Sequence, residues 1–559
     1  MWRGRSQLGT SPVSVSIRAD VVSCQRSDAC QDPERIERAI TIAETNRLKS
    51  GSSIEPMFTR RDLLARLAGI AALPVTAAWC ERSPPAASIS QVADTLHYSS
   101  LAQIAKLIAE RQLQSLDLTR QLLDRIAAVD VRLQSYVTVM TDQALASARR
   151  ADDEIRAGRY RGPLHGVPIA AKDLCYTRGV RTMAGTKVFA DFVPNFDATV
   201  IARLEAAGAV MLGKLALCEG AFGPYYPGFQ VPVNPWDATR WSGVSSSGSG
   251  VATAAGLCFA SVGTDTGGSI RYPSAANGCV GLKPTYGRAS RYGVFALAPS
   301  MDHVGPMTRT VEDAAIMFEA MAGADPQDPT SLPDPVPAAR AELARGVAGL
   351  RIGFDRRYAT DNVDADVAAA MEEVLATLTR LGAKVVPVAM PDVSQVPNAW
   401  FDLCYAEALA VHASTFPSRA ADYGPGMRAV LEAGQRLAPA QFAAATRVRT
   451  EVSASIHSML DTVDCLVCPS MSNSARTKES DPYDEDSVET WSALVRNDIH
   501  TQPFNFSGSP TLSVPCGFSA DGLPLSAQFV GRKLSEAMLC RIGHAYEQAT
   551  PWHLKHPAV

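Results

Sequence analysis

The chain is 559 residues long, 46% hydrophobic and 20% charged, with 39 Gly and 36 Pro, a composition that suits a soluble globular protein with a large core. Its formal net charge of -4 leaves no basic excess to neutralise phosphates, which argues against nucleic acid as a partner. Twelve cysteines are too sparse for a disulfide scaffold, and the nine histidines form no HxH or HExxH pair, so no metal is expected.

The first legible element is an address. Residues 57–80 read MFTRRDLLARLAGIAALPVTAAWC, with Arg60 and Arg61 followed by a mildly apolar stretch and small residues. This pattern predicts a twin-arginine (Tat-type) export signal and a periplasmic location. The stretch is too short and too interrupted, by Arg66 and Pro74, to hold a stable membrane span. An amphipathic helix carrying two chance arginines is the plainer reading. Lipidation at Cys80 is a third, although Trp79 before it fits poorly. Residues 1–56 are polar and would set the signal far from the end, so Met57 is the expected start and 1–56 is not translated. Peptides from 1–56 in the mature cellular protein would refute this. Residues 81–94, rich in Pro, Ala and Ser, read as a linker.

The folded body is expected over 95–557. Ser99 and Ser100 precede LAQIAKLIAERQL, an amphipathic helix with a serine cap, and further helices open at Ser115 and Thr141. Short apolar runs then alternate with helical ones: GVPIAAKDL as strand, ATVIARLEAAGA as helix, AVMLGK as strand, VATAAGL as helix and CFASVGTD as strand. The alternation predicts an α/β fold around a mixed, largely buried sheet. Near 348 a strand–helix–strand unit begins and a helix-rich stretch runs to about 461. DCLVCPSM follows as a strand, then a polar acidic loop, two strands (TLSVPCGF, PLSAQFVG) and a final helix. Cys465-x-x-Cys468 admits a redox reading, but a buried strand is preferred because nothing beside it resembles a thioredoxin unit.

Chemistry concentrates in residues 241–273, WSGVSSSGSGVATAAGLCFASVGTDTGGSIRYP, where two Gly/Ser-rich turns flank a helix and a strand. Gly267 and Gly268 let the backbone approach a ligand closely, and N–H groups gathered there suit an anion. That anion could be a phosphate, though neither GxxxxGK[ST] nor GxGxxG is present, or the oxyanion of a tetrahedral intermediate. A structural turn is the third option.

Lys172 in GVPIAAKDL, NPWD at 234–237, GVSSSGS, GTDTGGSIRYP and GLKPTYGR together resemble the amidase signature family. TQPFNFSGSPTLSVPCGF and AYEQATPWHLKHP extend the likeness over roughly 95–557. The resemblance implies a single large α/β/α unit with a mixed central sheet and a Ser–Ser–Lys triad that needs no cofactor. Carried over, Ser269 is the nucleophile, Ser245 the bridging serine and Lys172 the base. The backbone N–H groups of Thr266, Gly267, Gly268 and Ser269 are the oxyanion donors. An unperturbed lysine is neutral about once in 2,500 at pH 7, a cost of about 4.6 kcal/mol, so a base lysine must be desolvated. The apolar run VPIAA before Lys172 fits burial; on local sequence alone, pairing with Asp173 would be favoured.

Some positions depart from the family's pattern. Val244 stands where glycine usually precedes the bridging serine across a cis bond, Ser247 stands where glycine is usual, and GKLALCEGA replaces a GKTN-type segment. Asp265 and Arg271 read as turn-holding residues. Pocket walls are expected from 219–226, including Phe222, Tyr225 and Tyr226, from the 295–303 loop, and from the 471–500 loop with Trp491. The expected activity is hydrolysis of a small-molecule carboxylic amide. The alternatives are the A subunit of an aminoacyl-tRNA amidotransferase, disfavoured by the export signal, and a non-catalytic binding protein on the same scaffold. A homodimer is the expected assembly.

Overall fold

The computed structural model describes residues 96–222, 224–478 and 499–559. The expected export signal, the extension before it, the linker, most of the acidic loop and Trp491 lie outside these residues.

Where the sequence alternates between periods, the chain alternates between elements. Helix α1 (Leu101–Ala109) opens with the expected cap: Ser100 Oγ accepts from Gln103 N–H, and Gln103 Oε1 accepts from Ser100 N–H. Helix α2 (Ser115–Leu133) and strand β1 (Tyr136–Val139) lead to α3 (Thr141–Arg156), β2 (Pro168–Lys172), α4 (Thr199–Ala206) and β3 (Val210–Leu215). Then come α5 (Ser247–Ala254), β4 (Ala260–Asp265), α6 (Arg271–Asn277), β5 (Val280–Lys283), β6 (His303–Thr308) and α7 (Val311–Met321). The expected strand–helix–strand unit is β7 (Arg351–Phe354), α8 (Ala365–Arg380) and β8 (Lys384–Pro387). The helix-rich stretch holds α9 (Val396–Val411), α10 (Pro425–Arg436) and α11 (Pro439–Leu460). Strand β9 (Cys465–Pro469), α12 (Gln502–Phe506), β10 (Thr511–Phe518), β11 (Pro524–Val530) and α13 (Glu536–Gln548) complete the order.

These strands form one mixed sheet in the order β1-β3-β2-β4-β6-β5-β10-β11-β9-β7-β8. Parallel pairing joins β2 to β3 and β4, and joins β7 to β8 and β9, while the strands between pair antiparallel. Every residue of β2, β3 and β4 is buried, as central strands covered on both faces require, the polar Lys172, Lys214, Thr264 and Asp265 included. Cys465 and Cys468 lie buried and unpaired on β9, in keeping with the strand reading.

Among the described residues, the three largest apolar clusters fill the layers. One joins α1–α4 to β2–β4, and another joins α7, α8 and α13 to β9–β11. The third gathers Trp400, Phe401 and Cys404 of α9 and Met427, Val430 and Leu431 of α10 against Phe222, Val244 and Leu297. It therefore packs the helix-rich region onto the turns singled out in the sequence.

Candidate active site

Parallel neighbours end on the same side of a sheet, so β2 and β4, paired through Ala171 and Val262, bring Lys172 and Thr264 to one edge. Lys172 is fully buried, with Nζ 2.7 Å from Ser245 Oγ and 2.8 Å from Thr264 Oγ1. Burial pushes its ammonium pKa down to about 8. About one lysine in ten is then neutral at pH 7. The pairing of Lys172 with Asp173 suggested by local sequence does not occur, because successive side chains at a strand end point apart. Asp173 faces Lys214 instead, at 3.3 Å, and accepts from the Met183 N–H.

The two Gly/Ser turns interlock. Ser246 N–H donates to Ser269 O at 3.2 Å, and Ser246 Oγ donates to Thr264 O at 3.1 Å. The Val244–Ser245 peptide is cis, and Ser245 is 1% exposed. From 242 to 277 every residue is buried except Ser269. Ser269 lines a cavity with Phe222, Val244, Thr266, Gly267, Leu297 and Trp400. A second cavity of about 300 Å³ shares Ala221, Thr266 and Leu297 with it.

The glycines are dictated by space. A Cβ at Gly267 would collide with the Trp400 ring, and Gly268, at φ +137, turns back against Tyr272. One expected oxyanion donor needs correction. Gly268 N–H already donates to Asp265 Oδ1 at 2.9 Å, so the turn offers at most Thr266, Gly267 and Ser269. Asp265 is occupied because it organises the turn, accepting from the N–H groups of Gly268, Ile270 and Arg271. Arg271 grips it with Nε at 2.9 Å and Nη2 at 2.8 Å, and reaches Thr501 O and Gln528 Oε1. Burial alone would raise the Asp265 carboxyl, but the Arg271 guanidinium holds it below the usual carboxylate range.

Of the expected pocket residues, Phe222 lines the cavity, packed edge-on to Trp400 with ring centroids 5.5 Å apart. Tyr225 is not among the residues lining it; its hydroxyl donates to Ser247 Oγ at 2.6 Å, since the chain has turned by then toward the start of α5. Tyr226 packs on Phe229. Leu297, from the 295–303 loop, also lines the cavity. Sequence reasoning missed Thr264, Trp400 and Gln502. Thr264 carried a signal, since it sits in the same GTDTGGS run and a buried amine needs acceptors. Trp400 carried none: it arrives from α9, and its indole N–H donates to Thr266 O at 2.9 Å.

A family model described as Amidase matches residues 117–540. The "Putative amidase AmiD" of Mycobacterium tuberculosis (strain ATCC 25618 / H37Rv) is 46% identical over 466 residues, 83% of this chain and 97% of that protein. The A subunit of the glutamyl-tRNA(Gln) amidotransferase of Geobacter sp. (strain M21) is 38% identical over 82% of this chain and 98% of its own length. The native peptide amidase of Stenotrophomonas maltophilia superposes with a TM-score of 0.71 at 32% identity, over 80% of this chain and 96% of that one.

The chain belongs to the amidase signature family.

Amide hydrolysis is the chemistry that this membership supports. Within this amidase the departures acquire local reasons. Ser247, where glycine is usual, is the acceptor for Tyr225 and ties the 219–226 segment to α5. Glu219, in the segment that replaces GKTN, accepts from Thr186 Oγ1 at 2.8 Å and from Gly424 N–H at 3.0 Å. It thereby joins one wall of the cavity to the start of α10. Burial pushes its carboxyl up to about 7.

Proposed function

We propose that this amidase hydrolyses a carboxylic amide to a carboxylate and ammonia or amine, through an acyl-enzyme on Ser269. The observation that carries this is the 2.7 Å contact between a buried Lys172 Nζ and Ser245 Oγ, behind the one residue of 242–277 that is not buried.

Neutral Lys172 accepts the Ser245 proton while Ser245 accepts that of Ser269, and Ser269 Oγ bonds to the amide carbon. The carbonyl oxygen takes up negative charge, met by N–H groups of the 266–269 turn. The proton then returns through Ser245 to the leaving nitrogen, which departs as neutral ammonia or amine as the C–N bond breaks. Water repeats the cycle: its proton passes to the relay, its oxygen bonds to the acyl carbon, and Ser269 recovers its proton as the carboxylate leaves. A depressed lysine pKa lowers the cost of the first step from about 4.6 to roughly 1.4 kcal/mol at pH 7.

Ser269→Ala is expected to lower turnover by at least about a thousandfold without loss of folding, as judged by melting. Retained turnover would remove Ser269 from the mechanism. The 38% identity to an amidotransferase A subunit supports a second reading, in which the chain works within an assembly. Ammonia release from simple amides by the isolated chain, without ATP or partner proteins, favours the amidase; release only with partners favours the second reading. Export through the twin-arginine segment is part of the proposal. Finding the protein in the cytoplasmic fraction, with residues 57–80 still attached, would count against it.

A further inference from the structure

Gln502 opens α12 and is completely buried, yet neither its Oε1 nor its Nε2 has a hydrogen-bond partner. Its side chain lines the same cavity as Ser269, beside Phe222, Val244, Leu297 and Trp400. Burying an amide with both ends unmatched is costly, and folded proteins keep few such groups. One kept in the wall of an active-site cavity points to a partner that arrives with the substrate.

The backbone around it is held fast. Thr501 Oγ1 donates to Gly267 O and lies 2.7 Å from Tyr272 Oη, and Thr501 O accepts from Arg271. Asn505, three residues on, donates to Asp265 Oδ1 and accepts from Arg271. The backbone that carries Gln502 is therefore tied on both sides to the turn that carries Ser269.

A side-chain amide offers an acceptor and a donor side by side in one plane. Its complement is another amide, whose N–H and C=O satisfy both at once. A carboxylate would meet only Nε2, and an ammonium only Oε1. None of the described residues lining this cavity carries a formal charge, so either ion would also be desolvated without a counter-charge. We propose that Gln502 is a specificity-determining residue that pairs with a second, non-scissile amide in the acyl portion of the substrate, making diamides the preferred class. The rest of such an acyl group has room in the adjoining cavity of about 300 Å³. The proposal rests on the reading of Ser269 as nucleophile.

The test compares N-acetyl-leucinamide with 4-methylpentanamide, which lacks the second amide, on the full chain. The wild type should favour the diamide in kcat/KM by about tenfold or more, as sites built to hydrogen-bond a ligand reject the analogue lacking the group. In Gln502→Met, close in shape but unable to hydrogen-bond in this way, the ratio should collapse towards one, mainly through KM. Gln502→Leu, which loses both the donor and the acceptor, should do the same and serves if the first variant melts early. Labelling of Ser269 by an alkyl phosphonofluoridate, read by mass spectrometry, separates the two readings, and protection by each amide gives the ratio as binding. Labelling of wild type and Gln502→Met but not Ser269→Ala, with a collapsed ratio, supports the proposal. Intact labelling with a wild-type ratio near one, or a ratio that the variants leave unchanged, overturns the role of Gln502 alone. Absence of labelling in the wild type overturns the nucleophile and this proposal with it.

Discussion

At the scale of single residues, the proposed mechanism makes Lys172 the group that sets how activity depends on pH. Burial holds Lys172 at about 8, and the neutral amine is the form that accepts a proton. The neutral fraction climbs from about one in ten at pH 7 to about nine in ten at pH 9. A plot of kcat/KM should therefore rise about tenfold over that interval and then level off. A flat profile would exclude the lysine as base. The same shift is visible in stability. Because the folded value lies below the unfolded one, the unfolded chain binds more protons between about 8 and 10.4. The stability of wild type relative to Lys172→Met should consequently grow with pH across that window, read by urea titration.

At the scale of elements, the strand ends at the candidate site are braced by short side-chain ties. Asp265 and Arg271 close the turn after β4, and Ser247 and Tyr225 tie α5 to a cavity wall. Glu219 ties that wall to α10. Its folded pKa, about 7, lies above the unfolded value, so the folded protein holds the extra proton. This contribution is fully present below about pH 4.3 and is lost as the pH rises to about 7. Relative to Glu219→Gln, which keeps the shape but does not titrate, wild type should lose stability over that interval and stay level above it. Parallel unfolding curves at pH 4.5 and 7.5 that show no difference between the two proteins would contradict the assignment.

At the scale of the whole molecule, the α9–α11 region supplies part of the active site although it lies more than a hundred residues from the turns it covers. Trp400 closes the space above Gly267 and holds Thr266 O. In Trp400→Phe the ring still packs but the carbonyl loses its donor, a loss of about 1–3 kcal/mol for a buried group. The melting temperature should fall accordingly, and kcat/KM with it, since the tie bears on the turn proposed to offer the oxyanion donors. Unchanged values for both would mean that Thr266 is held by other contacts.

The sequence alone determined what local chemistry can write. Periodicity gave the alternation of strands and helices and the strand–helix–strand unit near 350, because apolar spacing records which face each element buries. The motifs that carry Lys172, Ser245 and Ser269 stood out in the sequence because Gly/Ser-rich turns and a lysine after an apolar run are unusual, although Lys172 lies far from the two turns along the chain. The tertiary structure decided which groups meet. Asp173 turned to Lys214, Gly268 N–H was taken by Asp265, Tyr225 went to Ser247, and Trp400 and Gln502 came from remote helices to line the cavity. A hydrogen bond depends on distance and direction in space, whereas a sequence fixes only order. Two groups separated by a hundred residues become neighbours once strand order and helix packing are set, and those depend on the whole core.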